Sequence, residues 1–253
     1  MSDSSSTDRG VCLVTGGSRG IGAATARLAA ARGYRVAITY LSRADAAMEV
    51  VRDIESSGGR AMAVQADVGV EADVVRAFAQ ADALGALTLL VNNAGVVGGV
   101  GRLEDVTGEM LDPLVRTNIV GAFIAAREAV RRMSTRHGGR GGSIVNVSSG
   151  ASQLGSPNVW IHYAATKGAI DTMTIGLSKE VAGEGIRVNA VRPGIIDTEI
   201  HAIRPPGQVE KMRQHIPMGR IGTVDEIAGA ILWLASDEAS YVTGTLLDAR
   251  GGI

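Results

Sequence analysis

An α/β domain, built as a doubly wound parallel sheet of seven strands flanked by helices, is the fold class that this 253-residue chain predicts. Three observations carry that expectation. Short β-type runs alternate with longer helical stretches. The early runs are continuously apolar, as strands covered on both faces must be. A glycine-rich turn follows the first run and opens a helix. In order, the runs are RGVCLVT, RVAITY, RAMAVQAD, LTLLVNNAG, GSIVNVSS, GIRVNAVRPG and TGTLLDA, with helical stretches between consecutive runs up to the last. Right-handed crossovers join such strands, and ligands bind at their carboxyl ends, where the strand order reverses.

Composition narrows the function. At 45% apolar content the chain fills one sizeable core, and a single domain over residues 10–253 is the default. With 25 basic against 26 acidic residues and no long basic run, no nucleic-acid partner is expected. The start, MSDSSSTDRG, reads as a short disordered tail over residues 1–9, without the basic and apolar parts of a signal peptide. No apolar run is long enough to span a bilayer, so a cytoplasmic protein without membrane partners is expected. Cys12 lies inside VCLV and reads as a buried small hydrophobe. The histidines at 137, 162, 201 and 215 have no metal-ligand spacing, and no metal is expected.

The turn TGGSRGIG, residues 15–22, leads into AATARLAAARG. Gly16, Gly20 and Gly22 let the backbone turn tightly and approach a pyrophosphate, which also gains from amides at the helix start. Ser18, Arg19 and Ile21 belong to the same phosphate loop. The spacing, Gly-x-x-x-Gly-x-Gly, differs from the common Gly-x-Gly-x-x-Gly of dinucleotide sites. At the end of the second strand, where an NAD site carries an acid for the ribose 2′-hydroxyl, stand Tyr40, Leu41, Ser42 and Arg43. Arg19 and Arg43 instead bracket a 2′-phosphate through charge-assisted bonds. NADP(H) is therefore expected over NAD(H), with Tyr40 and Ser42 beside the adenosine ribose.

The stretch HYAATKGA places Tyr163 and Lys167 four residues apart in a helical context. Positions i and i+4 share a helix face. At roughly 5 Å and an effective dielectric of about 20, an ammonium favours the tyrosinate by about 3 kcal/mol, a little over two pKa units. Alone, the pair reads more simply as a half-exposed helix face, and the rest of the chain decides.

TGGSRGIG, NNAG at 92–95, Asn118, VSS at 147–149, Tyr163-x-x-x-Lys167, RPGIIDT at 192–198 and the ending SDEASYVTGTLLDARGG occur in one chain. In their order and spacing the sequence resembles the short-chain dehydrogenase/reductase family over nearly its whole length, nearest the branch of bacterial 3-oxoacyl carrier-protein reductases and glucose dehydrogenases. The resemblance implies a Rossmann-type domain with Tyr163 as general acid in reduction and general base in oxidation. It implies that Lys167 lowers the tyrosine pKa and holds the nicotinamide ribose. Ser149, with Ser148 as its neighbour, would bond the substrate oxygen, fourteen residues before Tyr163. Asn118 would anchor a water in a proton relay and take part in cofactor binding. Asn92, Asn93 and the Ala94-Gly95 turn would line the cofactor and brace the sheet opposite Asn118. Asp67 and Val68 would meet the adenine, and Pro193, Gly194, Ile195 and Thr198 would flank the nicotinamide, exposing the face from which the pro-S hydride leaves. A homotetramer is implied too, in keeping with small residues along helix 163–182.

The Pro- and Gly-rich stretch 193–222 is long for a structureless connection, and residues 195–215 are expected to form a lid over substrate. With the loops 96–102 and 150–162 it would wall the substrate pocket through Val96, Gln153, Trp160, His162, Ile200 and His201. These expectations describe an NADP-dependent oxidoreductase acting on a small-molecule carbonyl or secondary alcohol. Within that class stand a 3-oxoacyl thioester reductase and a glucose-type sugar 1-dehydrogenase; outside it stands a non-catalytic NADP-binding regulator. The complete set of Ser, Tyr, Lys and Asn favours the enzyme, since a regulator needs only the cofactor half.

Overall fold

A computed structural model describes residues 8–199, 210 and 213–253. Of the expected lid, Ile195–Glu199, Glu210 and 213–215 are described, whereas Ile200 and His201 lie outside the described residues. The seven expected runs form one parallel sheet: β1 (Val11–Val14), β2 (Arg35–Tyr40), β3 (Ala61–Gln65), β4 (Leu87–Asn92), β5 (Gly142–Val147), β6 (Ile186–Pro193) and β7 (Leu246–Ala249). Their order is β3-β2-β1-β4-β5-β6-β7. The chain builds outward from β1 through β3, crosses back, and continues from β4 on the other side. That reversal opens a crevice between the carboxyl ends of β1 and β4.

Side-chain alternation along each strand feeds two cores. In β1, Cys12 and Val14 face a core made by helices α1 (Gly20–Ala31), α2 (Ala44–Ser56) and, from the end of the chain, Val224–Ala235. Val11 and Leu13 face the other way, toward α3 (Glu71–Ala81) and two helices introduced with the site, Ala122–Met133 and Ile161–Val181. Both faces are thus dry, which is why the early strands carry no polar alternation. Cys12 is fully buried and its thiol is pushed up by loss of solvent, in keeping with a packing role.

The tail expected over residues 1–9 differs at its end. Asp8 accepts a hydrogen bond from Gly10 N at 2.9 Å and pairs with Arg35 at 2.8 Å, while the Arg9 carbonyl accepts from Thr88 Oγ1. These contacts join residues 8 and 9 to β2 and β4. Among the described residues no helix is long and apolar enough to cross a membrane.

Leu89 in β4 is fully buried between β1 and β5. Leu89→Ala is expected to lower unfolding free energy by about 3 kcal/mol, the usual cost of a core leucine truncation. Urea denaturation followed by circular dichroism measures it, and a loss under about 1 kcal/mol would contradict the packing described.

Candidate active site

The crevice above β1 and β4 is a cavity of about 850 Å³, and it receives the carboxyl ends of the central strands. Thr15, directly after β1, ties its two sides together. Its hydroxyl accepts from Asn93 N at 2.9 Å and from Ala94 N at 3.0 Å, and Asn93 Nδ2 donates to Thr15 O and Gly16 O. The TGGSRGIG turn is therefore fastened to the end of β4, and Asn93, Ala94 and Gly95 line the cavity beside it.

The turn fits a dinucleotide. A Cβ on Gly22 would lie 2.3 Å from Gly16 O, so the first turn of α1 can pack against the loop only with glycine there. Gly16, at φ +65°, supplies the left-handed turn that starts the loop. The first turn of α1 carries no acidic residue and no side-chain cap, so its amides and dipole are open to an anion on the cavity side. Ser18, Arg19, Gly20 and Ile21 line this part of the wall.

At the adenosine end, Tyr40, Ser42 and Arg43 line the cavity, as do Asp67 and Val68. Asp67 Oδ1 accepts from Gly69 N at 2.8 Å, shaping its own turn instead of capping α3, whose first-turn flank is Val70. Arg19 and Arg43 both reach the carboxylate of Glu199, at 2.5 and 3.2 Å. At the end of β6, Pro193, Gly194 and Ile195 line the wall, and Thr198 lines it beside the glycine turn, its Cγ2 3.6 Å from where a Gly20 Cβ would sit. The Ile195 carbonyl accepts from Gly222 N at 2.9 Å, and Thr198 Oγ1 donates to Ile196 O at 3.3 Å. Thr39, whose hydroxyl accepts from Gly16 N at 3.1 Å, and Glu199 are site residues the sequence reading missed. A Thr at the end of a strand carries no signal by itself, and Glu199 is 156 residues from its partner Arg43.

The short helix α4 (Gly108–Val115) runs into a π-helical turn over Arg116–Gly121 and then α5 (Ala122–Met133). The wider turn aims Asn118 inward. Its Nδ2 donates to Val96 O at 2.8 Å and to Thr166 Oγ1 at 3.0 Å, and its Oδ1 accepts from Val96 N at 2.9 Å. Asn118 is almost fully buried and stands behind Gly95, outside the cavity wall. Its neighbour Thr117 lines the wall.

After β5, α6 (Ala151–Leu154) leads to α7 (Ile161–Val181), which carries Tyr163 and Lys167. Ser149 faces the cavity and hydrogen-bonds the Tyr163 hydroxyl, while Ser148 Oγ donates to Lys167 O at 3.2 Å. Lys167 Nζ donates to Val147 O at 2.7 Å and lies 5.7 Å from the centre of the Tyr163 ring. Burial pushes the Lys167 ammonium down to about 8, partly offset by Asp171 one turn later. Burial pushes the Tyr163 phenol up, against the hydrogen bond from Ser149. Of the two influences on the phenol, burial is the larger and Ser149 the smaller. One of the ammonium's three N–H donors is taken by the Val147 carbonyl.

Other expectations are corrected at the substrate end. Gln153 is exposed and absent from the wall, because on α6 the cavity face is Ala151 and Leu154, three apart, and Gln153 falls off that face. His162 is buried beneath the 96–102 loop, its Nε2 3.1 Å from where a Gly98 Cβ would sit, so it supports the loop and does not line the cavity. Asn92, on the opposite face of β4 from Asn93, donates to Ala122 O at 2.9 Å and braces α5 rather than the cofactor. Val96 and Trp160 do line the wall, and Trp160 meets Tyr163 edge-on at 6.2 Å between ring centres.

A family model described as Enoyl-(Acyl carrier protein) reductase matches residues 16–253. An uncharacterized oxidoreductase, YgfF, of Escherichia coli K12 is 52% identical over 244 residues, covering 96% of this chain and 99% of that protein. A short-chain dehydrogenase from Burkholderia cenocepacia, solved in complex with NADP, is 35% identical with a TM-score of 0.90, covering 97% of this chain and 98% of its own. A 3-ketoacyl-(acyl-carrier-protein) reductase from Brucella melitensis, complexed with NADH, is 34% identical with a TM-score of 0.88, covering 96% and 97%.

Gly22→Ala is expected to weaken NADPH binding by roughly tenfold or more, since the added methyl must push the loop off α1. Titration of NADPH fluorescence measures it, and unchanged affinity would contradict the loop geometry.

Proposed function

The chain belongs to the short-chain dehydrogenase/reductase family, and on that premise we propose that it is an NADP-dependent enzyme that reduces a small-molecule carbonyl, or oxidises the matching secondary alcohol, with Tyr163 as proton donor or acceptor. The observation that supports this most is the meeting of Tyr163, Ser149 and Lys167 in one buried corner of the dinucleotide-sized cavity. When bound, the nicotinamide would give or accept hydride. The chain's own residues do the rest.

Burial keeps the Tyr163 phenol protonated at neutral pH, so it holds a proton ready for a substrate oxygen that gains charge during reduction. Ser149, already hydrogen-bonded to that phenol, stabilises the same oxygen. Two hydroxyls converging on one point suit a carbonyl oxygen better than a carbon–carbon double bond. Lys167, charged below about 8, offsets negative charge left on the phenol and is fixed by Val147 O. Asn118 is a positioning residue that locks Val96 and Thr166 around this corner. Trp160, Val96 and Leu154 offer an apolar wall for the substrate's body. Arg19 and Arg43, on the adenosine side, supply the cationic pair for a 2′-phosphate, while the relatives solved with NADP and with NADH support a nicotinamide dinucleotide in this cavity. Exposed apolar side chains along successive helical turns, Leu111, Val115, Val120 and Phe123, support association into a homotetramer.

Tyr163→Phe is expected to lower kcat by about 10²–10⁴ while leaving NADPH affinity unchanged. A panel of ketones, sugars and acyl thioesters followed by NADPH absorbance measures it, and undiminished turnover by the variant would contradict the assignment. Lys167 carries its charge below about 8 and loses it above, far under the ordinary lysine value. Reductive turnover is therefore expected to fall as pH rises through about 8, and a pH–rate profile flat up to about 10, the reference lysine range, would contradict it.

A further inference from the structure

Arg19 enters the adenosine end of the cavity from the glycine turn, and Arg43 enters it from beyond β2. Neither has an acidic partner from its own neighbourhood among its ion pairs. Both converge on one oxygen of Glu199, Arg19 at 2.5 Å and Arg43 at 3.2 Å, across 180 and 156 residues of chain. Glu199 lines the same cavity wall, directly after Thr198. A carboxylate held between two guanidinium groups at the ribose end is in the place that a 2′-phosphate would take, because both anions use the same fork-shaped donors. The three side chains are all more than half exposed, at 58%, 53% and 55%. Exposed pairs of this kind are weak and exchangeable, whereas a buried one would lock the arginines. The two arginines hold the Glu199 carboxyl below its ordinary range, so it stays an anion throughout neutral pH.

We propose that Glu199 is a cofactor-specificity residue: an internal anion that occupies the Arg19–Arg43 pair and that the 2′-phosphate of NADP(H) must displace. A 2′-hydroxyl brings no charge with which to take the arginines, so NAD(H) binds with the pair still closed. Glu199 therefore narrows the discrimination that the arginines alone would give. It fills, from the far end of the chain, the anionic position that Tyr40, Leu41 and Ser42 leave empty after β2. The inference rests on the reading that these arginines receive a 2′-phosphate, and the test separates the two.

Equilibrium dissociation constants for NADPH and NADH, by fluorescence titration without substrate, are measured for the native chain, Glu199→Gln, Glu199→Ala and the double variant Arg19→Ala/Arg43→Ala. Displacement by adenosine 2′,5′-bisphosphate and by AMP is measured alongside. Removing the carboxylate is expected to raise the ratio of the NADH constant to the NADPH constant by about three- to tenfold, the scale of an exposed ion pair. Adenosine 2′,5′-bisphosphate should tighten in step, with AMP unchanged. A ratio that stays within about twofold in both Glu199 variants, while the arginine double variant binds NADPH at least about tenfold more weakly, would overturn the inference and leave the phosphate reading standing. Native affinity for NADPH in the double variant would overturn the phosphate reading, and the inference with it.

Discussion

A lysine ammonium taken out of water beside a buried phenol is the constraint around which the rest of the site is arranged. Isolated in a protein interior, such a cation is costly, and it survives here because Val147 O accepts from it at 2.7 Å and Asp171 attracts it from one turn on. Val147 is the last residue of β5, so the acceptor is in place only because the parallel sheet brings β5 to the same edge as β4 and β6. Ser148 then bonds the Lys167 carbonyl and fixes α7 against that strand end, while Ser149, one residue further, turns into the cavity toward Tyr163. Arg192, bonded to Asp248 at 2.8 Å and facing Asp171 at 3.6 Å, ties α7 to β6 and β7 from behind. The meeting of Tyr163, Ser149 and Lys167 in that buried corner thus depends on sheet register several residues away.

The phosphate side obeys a different rule, one of close approach. Gly22 lies so near Gly16 O that α1 and the turn form one surface, and Thr15 pins that surface to Asn93 and Ala94. What remains open toward the cavity is backbone amide and arginine, a set of donors with no acid from the turn or from α1's first turn among them. The carboxylate that pairs with both arginines, Glu199, comes from beyond β6. A site rich in donors and supplied with its own displaceable acceptor is a physical basis for discrimination that depends on the charge of the incoming nucleotide more than on its shape.

Much of this was readable from the sequence, for reasons that are local. Continuous apolar runs reported the two-sided sheet, because each strand's burial is set by its own neighbours on both faces. TGGSRGIG and Tyr163-x-x-x-Lys167 were legible because turn geometry and helical spacing bring those residues together within a few positions. What the sequence did not reveal depended on rotation about an axis or on distant pairing. Gln153, His162 and Asn92 each sit one or two residues from a lining residue, and a turn of helix or the pleat of a strand sends each away. Glu199 meets its arginines only through the fold. Spacing gives a Coulomb attraction between Lys167 and Tyr163 and is silent about desolvation, which acts on both groups.

The central claim is that Tyr163 works as the proton donor at the nicotinamide end of one continuous cavity. A crystal structure of the chain with NADP bound tests it most directly. The account predicts the pyrophosphate on the amides that open α1 and the nicotinamide ring between Pro193 and the Tyr163–Lys167 pair, with the Tyr163 hydroxyl on the open side of the ring. A ring seated elsewhere, or a Tyr163 hydroxyl turned away from it toward bulk solvent, would contradict the account.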